Sequence, residues 1–459
     1  MIIVSHGFET NLKAAADAFS MPGIKHVVVP RVYNNLSVRE AREQTEPIVE
    51  QLVDALTGRS DDGAAGSPVE HKQAATAARI MTFSGDSELS ALWEFNRSFL
   101  DRDWGDGFPL WPPTPARVDE LISGVDGSPD DVVCILPPGN GAATVTLIAA
   151  NAAMAGCKPE EMPVIMAVLR AIANSDDISM SIVLTSTSAH AALIVVNGPI
   201  AGQLGINGGR ACMGPGKQNE VNLRIGRALV FCLKNIGRWY PGVLDLDTLG
   251  TTRKFIAVIA ENEMENPWEP YHVSQGFAPD DNTVTTFWTS GEWDISIQGH
   301  QDAQQLARAI GSFSGGTNGL GWLGTLHGVS EPDEEGKTTL PVRFGRLLLL
   351  TPPHARPLAE GGFTKEGLEK LFWELGHEPI ERIIEPFHKM HEGGKTRPEY
   401  DWLFELSKEE QRRRTMPVIE TPDDYKIVVA GSVRAKDLLM PTRVRQFTER
   451  ITSTPDGSS

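Results

Sequence analysis

Apolar residues along this chain fall into short runs of β type, separated by segments in which they recur every three or four positions. That alternation predicts an α/β protein. Strands are expected at 2–5 and 26–30, where Val27, Val28 and Val29 lie in one apolar run, and again at 132–136, 181–184, 192–197, 255–259, 346–351 and 427–430. Helical spacing covers 11–19, 38–56, 116–124, 142–155, 162–173, 220–235 and 365–375, with a helix or strand–helix connector at 80–100. In 38–56 the apolar face is Val38, Ala41, Ile48, Leu52, Val53 and Leu56. The expected fold class is α/β, with mixed or parallel sheets, flanking helices and more than one domain.

Punctuation residues divide the chain further. Residues 58–77 are rich in Gly, Ala, Ser and Asp and read as a linker. Around it stand a small segment, 1–57, a central domain, 78–290, and a C-terminal domain, 291–452. The polar tail 453–459 is expected to be disordered. Thr114 caps a helix that Pro115 opens, and Gly156 ends the next one. There is no long-period repeat, only a local echo. Leu136-Pro-Pro-Gly-Asn-Gly141 and Thr351-Pro-Pro-His-Ala-Arg356 both place Pro-Pro at the end of a strand, the second as a turn at 352–354. The first segment is small for a parallel sheet, which is normally covered on both faces. Val27, Val28 and Val29 are therefore expected to pack against something outside it: a second chain, the central domain, or another copy of this chain.

Charge and composition remove several classes. The 459 residues carry a formal net charge of −18. Such a surface repels phosphate backbones and argues against nucleic acid as a partner. No apolar run approaches the ~20 residues that span a bilayer, and the start of the chain lacks the pattern of a signal peptide. No membrane partner and a cytoplasmic location are the expectations. The four cysteines form no Cys-x-x-Cys pair, so reduced thiols are expected.

Candidate chemistry concentrates between 104 and 287. Gly139, Asn140, Gly141 and Thr144 stand between a strand and a helix, the setting in which backbone N–H groups face an anion. The glycine-rich connection 198–216 contains Asn207, Gly208, Gly209, Arg210 and Cys212. Its glycines suggest close approach to a ligand, and a thiol beside Arg210 near a helix start is expected to have a lowered pKa. Glu263 and His272 follow a buried strand and suit general acid–base work, and His190 lies between two apolar runs. Cys212, His190, Glu263 and His272 are the catalytic candidates; Gly139, Asn140, Gly141, Thr144, Asn207, Gly208, Gly209 and Arg210 are the substrate-binding ones. The two glycine loops are expected to converge on one pocket. Asn151 and Asn222, inside helices, are expected to have polar partners, and Asn219 to cap a helix. His388 and His391, three apart in a charged segment, read as surface rather than as a metal pair. No metal or cofactor follows from these spacings.

Two stretches carry a resemblance. Met21-Pro-Gly-Ile-Lys-His-Val-Val-Val-Pro30 and Leu36-Ser-Val-Arg-Glu-Ala-Arg42 resemble the C-terminal end of the UGSC family, bacterial (seleno)proteins named for a Sec/Cys-Gly-Ser-Cys motif. The resemblance covers about the first 57 residues and implies an α/β fold with thiol or selenol chemistry. No Cys-Gly-Ser-Cys occurs in this chain, so no motif residue carries over. The region from Asp106-Gly-Phe-Pro-Leu-Trp-Pro-Pro-Thr-Pro115 to Asn262-Glu-Met-Glu-Asn-Pro-Trp-Glu-Pro270 is similar to an uncharacterised bacterial domain associated with that family. It includes Asn151-Ala-Ala-Met-Ala-Gly-Cys157 and Val196-Asn-Gly-Pro199. Together these imply an enzyme subunit, oxidoreductase or lyase, acting on a small organic molecule by thiol-linked redox or carbon–heteroatom chemistry. The alternative is a non-catalytic partner or ligand-binding subunit of a heteromer whose Cys-Gly-Ser-Cys motif lies on another chain.

Overall fold

Residues 191–197 are buried on both faces, and that full burial marks the centre of the sheet on which the protein is built. The structure, a computed structural model, describes residues 2–6, 8–18, 21, 23–29, 38–57, 80–175, 177–297, 302–315, 344–394, 396 and 398–455. Its strands are β1 Ile2–Ser5, β2 His26–Val29, β3 Val132–Leu136, β4 Gly141–Thr144, β5 Ala191–Asn197, β6 Ala257–Ala260, β7 Thr283–Thr289, β8 Trp293–Ile295, β9 Phe344–Leu350, β10 His377–Pro379, β11 Thr415–Pro417, β12 Tyr425–Val429 and β13 Asp437–Arg450. The helices that follow the segment 1–57 begin with α1 Glu88–Leu100, α2 Pro115–Ile122, α3 Val145–Ala155, α4 Met162–Asn174, α5 Asp177–Leu184, α6 Pro199–Leu204 and α7 Glu220–Asn235. After them come α8 Tyr271–Ser274, α9 Ala303–Gly311, α10 Pro352–Glu360 and α11 Lys365–Leu375.

The main sheet has the order β12-β9-β13-β7-β5-β6, with β8 on β13. It mixes parallel pairs (β5 with β6, β9 with β12) and antiparallel ones (β7 with β5, β13 with β9, β7 with β13). The α/β fold with a mixed sheet and flanking helices is therefore observed. Its topology is repetitive. β5, a helical crossover, β6 and β7 form one unit; β9, a helical crossover, β12 and β13 form another with the same neighbours and directions. The units join through β7 and β13. In both, the first strand ends at prolines that open a helix, Pro199 in α6 and Pro352 in α10. The structural counterpart of Thr351-Pro-Pro is thus Asn197-Gly-Pro, not the Pro-Pro after β3.

Five strand spacings, about 24 Å, separate β6 from β12 along the sheet. Yet the Asn262 N–H donates to the Val429 carbonyl at 2.8 Å. The sheet curls until the ends of its edge strands touch. Its inner face carries Leu193, Val195, Ile259, Phe287, Leu347, Leu349, Val428 and Met440. The outer face of the first unit packs on α3, α4 and α7, that of the second on α9, α10 and α11. One sheet thus runs across the boundary expected at 290.

Several local expectations change. Residues 181–184 belong to helix α5, not to a strand; four apolar residues in a row fit either period. Residues 352–354 open α10 rather than forming a turn, because proline is tolerated in a helix's first turn. The helix expected over 38–56 divides into Val38–Thr45 and Val49–Thr57 around a 3-10 turn, Glu46–Ile48, at Pro47. β1 and β2 pair in parallel, and Val27 and Val29 bury against Ile48 and Leu52 of the same segment. So that valine face is covered locally, while Ile3, Val49, Val53 and Leu56 stay exposed. The linker 58–77 lies outside the described residues. In the tail, 456–459 lie outside them too, but Ser453 accepts the Asp126 N–H and the Thr454 carbonyl accepts Arg170, so 453–455 are held.

Candidate functional site

The first glycine loop is a hairpin turn. β3 and β4 pair antiparallel around residues 137–140, with Asn140 at φ 54°. A Cβ on Gly141 would lie 2.0 Å from the Ile236 carbonyl oxygen, and the Gly139 N–H donates to Gly237 at 2.8 Å. These glycines let the hairpin approach the chain just after α7. The helix starts at Val145, not at 142, and its first N–H groups are satisfied: Val145 by Asp131 O, Thr146 by Pro129 O, Leu147 by the Thr144 hydroxyl. The expected anion cradle at Gly139, Asn140, Gly141 and Thr144 is therefore replaced by a cap and a packing contact.

The second loop precedes the other end of α7. A 16-residue helix spans about 24 Å, so the two loops do not converge. In the second loop, a Cβ on Gly208 would lie 2.2 Å from the Ala260 oxygen. The close approach is to the protein's own strand β6. Asn207 donates to the Asn219 side chain at 2.6 Å and accepts from the Gly209 N–H at 2.8 Å; Asn219 donates to Ala211 and Gly214 carbonyls instead of capping the helix. Asn222 donates to Asn207 O and Val258 O, and Asn151 accepts from Asn235, so both helix-interior asparagines have partners. The loop is satisfied from within. Arg210 is exposed.

Cys212 turns onto the inner face of the sheet. Burial pushes its thiol pKa up, although the Gly431, Cys212 and Met213 N–H groups offset part of that. This reverses the lowered value expected beside Arg210. Cys134 is pushed up to about 12, and Cys157 and Cys232 are also raised, all chiefly by burial.

His190 stands before β5, and Asn197 ends it. Seven rises put them roughly 23 Å apart, so His190 does not join Glu263 and His272. Burial, then the charges of Arg443, Arg253 and Lys254, press its imidazole down to about 3.

The sites that do meet lie where β5 and β6 end. Glu261 is buried and accepts from Asn197 Nδ2 at 2.6 Å, the Tyr271 N–H at 2.6 Å, Asn266 Nδ2 at 2.8 Å and Lys365 Nζ at 3.4 Å. A carboxylate with four donors is an anchor for the segment 261–271. Glu263 differs. One oxygen accepts from Asn197 Nδ2 and from the Gly198 N–H, each at 2.8 Å, and the side chain is 28% exposed. His272, fully buried, places Nε2 3.1 Å from Ala278 O. That hydrogen bond puts the proton on Nε2 in the neutral ring and leaves the lone pair on Nδ1. Nδ1 lies 3.9 Å from the Glu263 carboxylate and has no hydrogen-bond partner. Nearby, Glu369 on α11 is pushed up to about 7, mainly by burial.

Asn197 lies in the stretch Val196-Asn-Gly-Pro199 and Glu261 two residues before Glu263, but the sequence marks neither as a site residue. Lys365 and Glu369 carry no sequence signal, since both read as ordinary helix positions. A second buried polar group was also not foreseen. At the end of β9, Asp437 accepts the Thr351 N–H at 2.9 Å, the Thr351 hydroxyl at 2.8 Å and the His354 ring at 2.6 Å. His391 stacks on Phe404 and lies 2.9 Å from the Thr396 hydroxyl, and His388 faces Glu385.

Among the described residues, no group of three or more His, Cys, Asp or Glu side chains could hold a metal ion, and no helix is long and apolar enough to cross a membrane. Fold and site together define an α/β protein with a duplicated strand topology and a carboxylate–imidazole pair at one strand end. No family model matches the chain, and no curated protein matches it in sequence.

Proposed function

We propose that this chain is an enzyme subunit that transforms a small organic molecule by acid–base chemistry at a carbon–heteroatom bond. Glu263 takes a proton from the substrate, Asn197 and the Gly198 N–H hold its carboxylate, and His272 supplies a second basic atom behind it. The observation that carries this reading is the His272 Nδ1 lone pair, buried without a partner 3.9 Å from a part-exposed carboxylate. Such a pair is costly to bury for structure alone. The thiol chemistry of the resembling family has less support, because burial raises all four thiols.

The test is turnover of a metabolite extract followed by mass spectrometry. Compounds consumed by the unaltered protein should persist with Glu263→Gln and with His272→Gln, and still be consumed with Cys212→Ser. Unchanged consumption by both of the first two variants would move the chemistry elsewhere.

A second reading, a partner subunit in a heteromer, is favoured by one feature. The two-stranded sheet of residues 2–57 leaves Ile3 54% and Leu56 69% exposed. Light scattering on the purified chain tests it: a stable, active single-chain species argues against that reading.

A further inference from the structure

The sheet buries positive charge far from Glu263 and His272. Arg346 on β9 is 2% exposed, and its one hydrogen bond runs from Nη1 to Gly345 O, while Nε and Nη2 have no partner. Arg443 on β13 lies directly opposite Phe344 on β9 and Trp288 on β7. Side chains alternate along a strand. Phe344, Arg346, Arg443 and Trp288 therefore share the outer face, with Leu348, Leu350 and Leu439 marking that face further along.

Three features make this more than a chance meeting of bases. Among the described residues, neither Arg346 nor Arg443 forms an ion pair, and a buried guanidinium without a counter-charge is destabilising. Burial lowers the pKa of both, Arg443 to about 10. Next, two further buried groups nearby lack partners: the Trp288 indole Nε1 and both ring nitrogens of His190. His190 is close enough to Arg443 for that charge to depress it. Finally, the guanidinium carbons sit over aromatic rings, Arg443 at 4.8 Å from the Phe344 centroid and Arg346 at 5.9 Å from Trp293. This leaves their N–H edges as the donors. Arg443, Phe344 and Trp293 are half-buried, which leaves an approach from solvent.

We propose that this face binds an oxyanion, a carboxylate or a phosphate, with Arg443 as its charge partner and the Trp288 indole as an added donor. A planar guanidinium fork matches both anions, and the aromatic walls exclude water from the contact. The site stands apart from Glu263 and does not depend on the chemistry assigned there.

Thermal unfolding tests it, with inorganic phosphate or benzoate titrated against sodium chloride at equal ionic strength. A bound anion raises the midpoint with its concentration. One of the two should do so in the unaltered protein and in Glu263→Gln. Arg443→Ala should weaken apparent affinity at least ~10-fold, since it removes both the charge and the charge-assisted donors. Arg443→Lys keeps the charge and loses the fork, and Trp288→Phe keeps the ring and loses the donor; both should fall between. The anion with the larger shift identifies the ligand as carboxylate or phosphate. No shift beyond chloride with either anion, or equal shifts in all variants, would overturn the proposal.

Discussion

Replacing Glu261 by Gln should loosen the segment 261–271 by more than the loss of one hydrogen bond. The carboxylate divides its donors evenly. Oε2 accepts from Asn197 Nδ2 and the Tyr271 N–H, Oε1 from Asn266 Nδ2 and Lys365 Nζ. Glutamine keeps one acceptor oxygen, so either orientation strands two donors. Each buried donor left unmade costs about 1–3 kcal/mol. Lys365 is 6% exposed on its side chain and would retain only the Glu269 carbonyl at 2.8 Å. Removing one partner of a buried ion pair costs about 3–5 kcal/mol. The Tyr271 amide reports the loss directly, because its N–H donates to this carboxylate. At 1.4 kcal/mol per factor of ten, its hydrogen exchange should accelerate roughly 10²- to 10³-fold. Lys365→Met should also speed exchange. The double variant should cost less than the sum by about 1–3 kcal/mol, since no unpaired lysine remains buried. Additive effects, or an unchanged Tyr271 amide in Glu261→Gln, would refute the idea that these groups form one network.

Glu369, pushed up to about 7 from an ordinary 4.5, gives a pH-dependent prediction. Between those values the folded state holds a proton that the unfolded state has lost, so this group's contribution to stability falls as pH rises from 4.5 to 7. Glu369→Gln should therefore match the unaltered protein near pH 4 and exceed it at pH 8, by up to ~3 kcal/mol; equal stability across that range would contradict the raised value. For the thiols, burial predicts that iodoacetamide at pH 7.5 labels all four cysteines far more slowly in the folded protein than in urea. Rapid labelling of Cys212 before unfolding, read by peptide mass spectrometry, would restore it as a reactive thiol.

How much of this was legible depends on what each residue type reports. The helix 220–235 was readable because Ile225, Leu229 and Cys232 recur along one buried face and Asn219 marks its start. β7 was not. Thr283, Thr285, Thr286 and Thr289 are all buried within it, and threonines read as polar loop unless the partner strands are known. β13 hides for a related reason, since it carries Pro441, three arginines and a bulge between Arg443 and Phe447. At the site, Glu263 and His272 were legible because acid and base follow a buried strand. The glycines misled because glycine reports close approach without saying to what. Gly141 meets Ile236 and Gly208 meets Ala260, both within the chain. Arg210 beside Cys212 misled similarly, since neighbours in sequence turned to opposite environments.

The duplicated topology sets two acid–histidine pairs in one sheet, at positions that do not correspond. In the second unit the pair joins the crossover helix α10 to the start of β13, and in the first it lies within the connection from β6 to β7. In the second unit Asp437 accepts three hydrogen bonds from Thr351 and His354, and both acid and histidine are fully buried. In the first, Glu263 accepts both of its bonds on one oxygen, remains part-exposed, and stands 3.9 Å from a histidine nitrogen without a partner. The second pair is a short, sealed acid–histidine contact; the first is neither short nor sealed. Buried polar groups are otherwise satisfied in folded proteins, and exceptions gather where function, not the fold, sets the geometry. A group donated by a bound molecule could bridge Glu263 and Nδ1, and it has no such opening between Asp437 and His354.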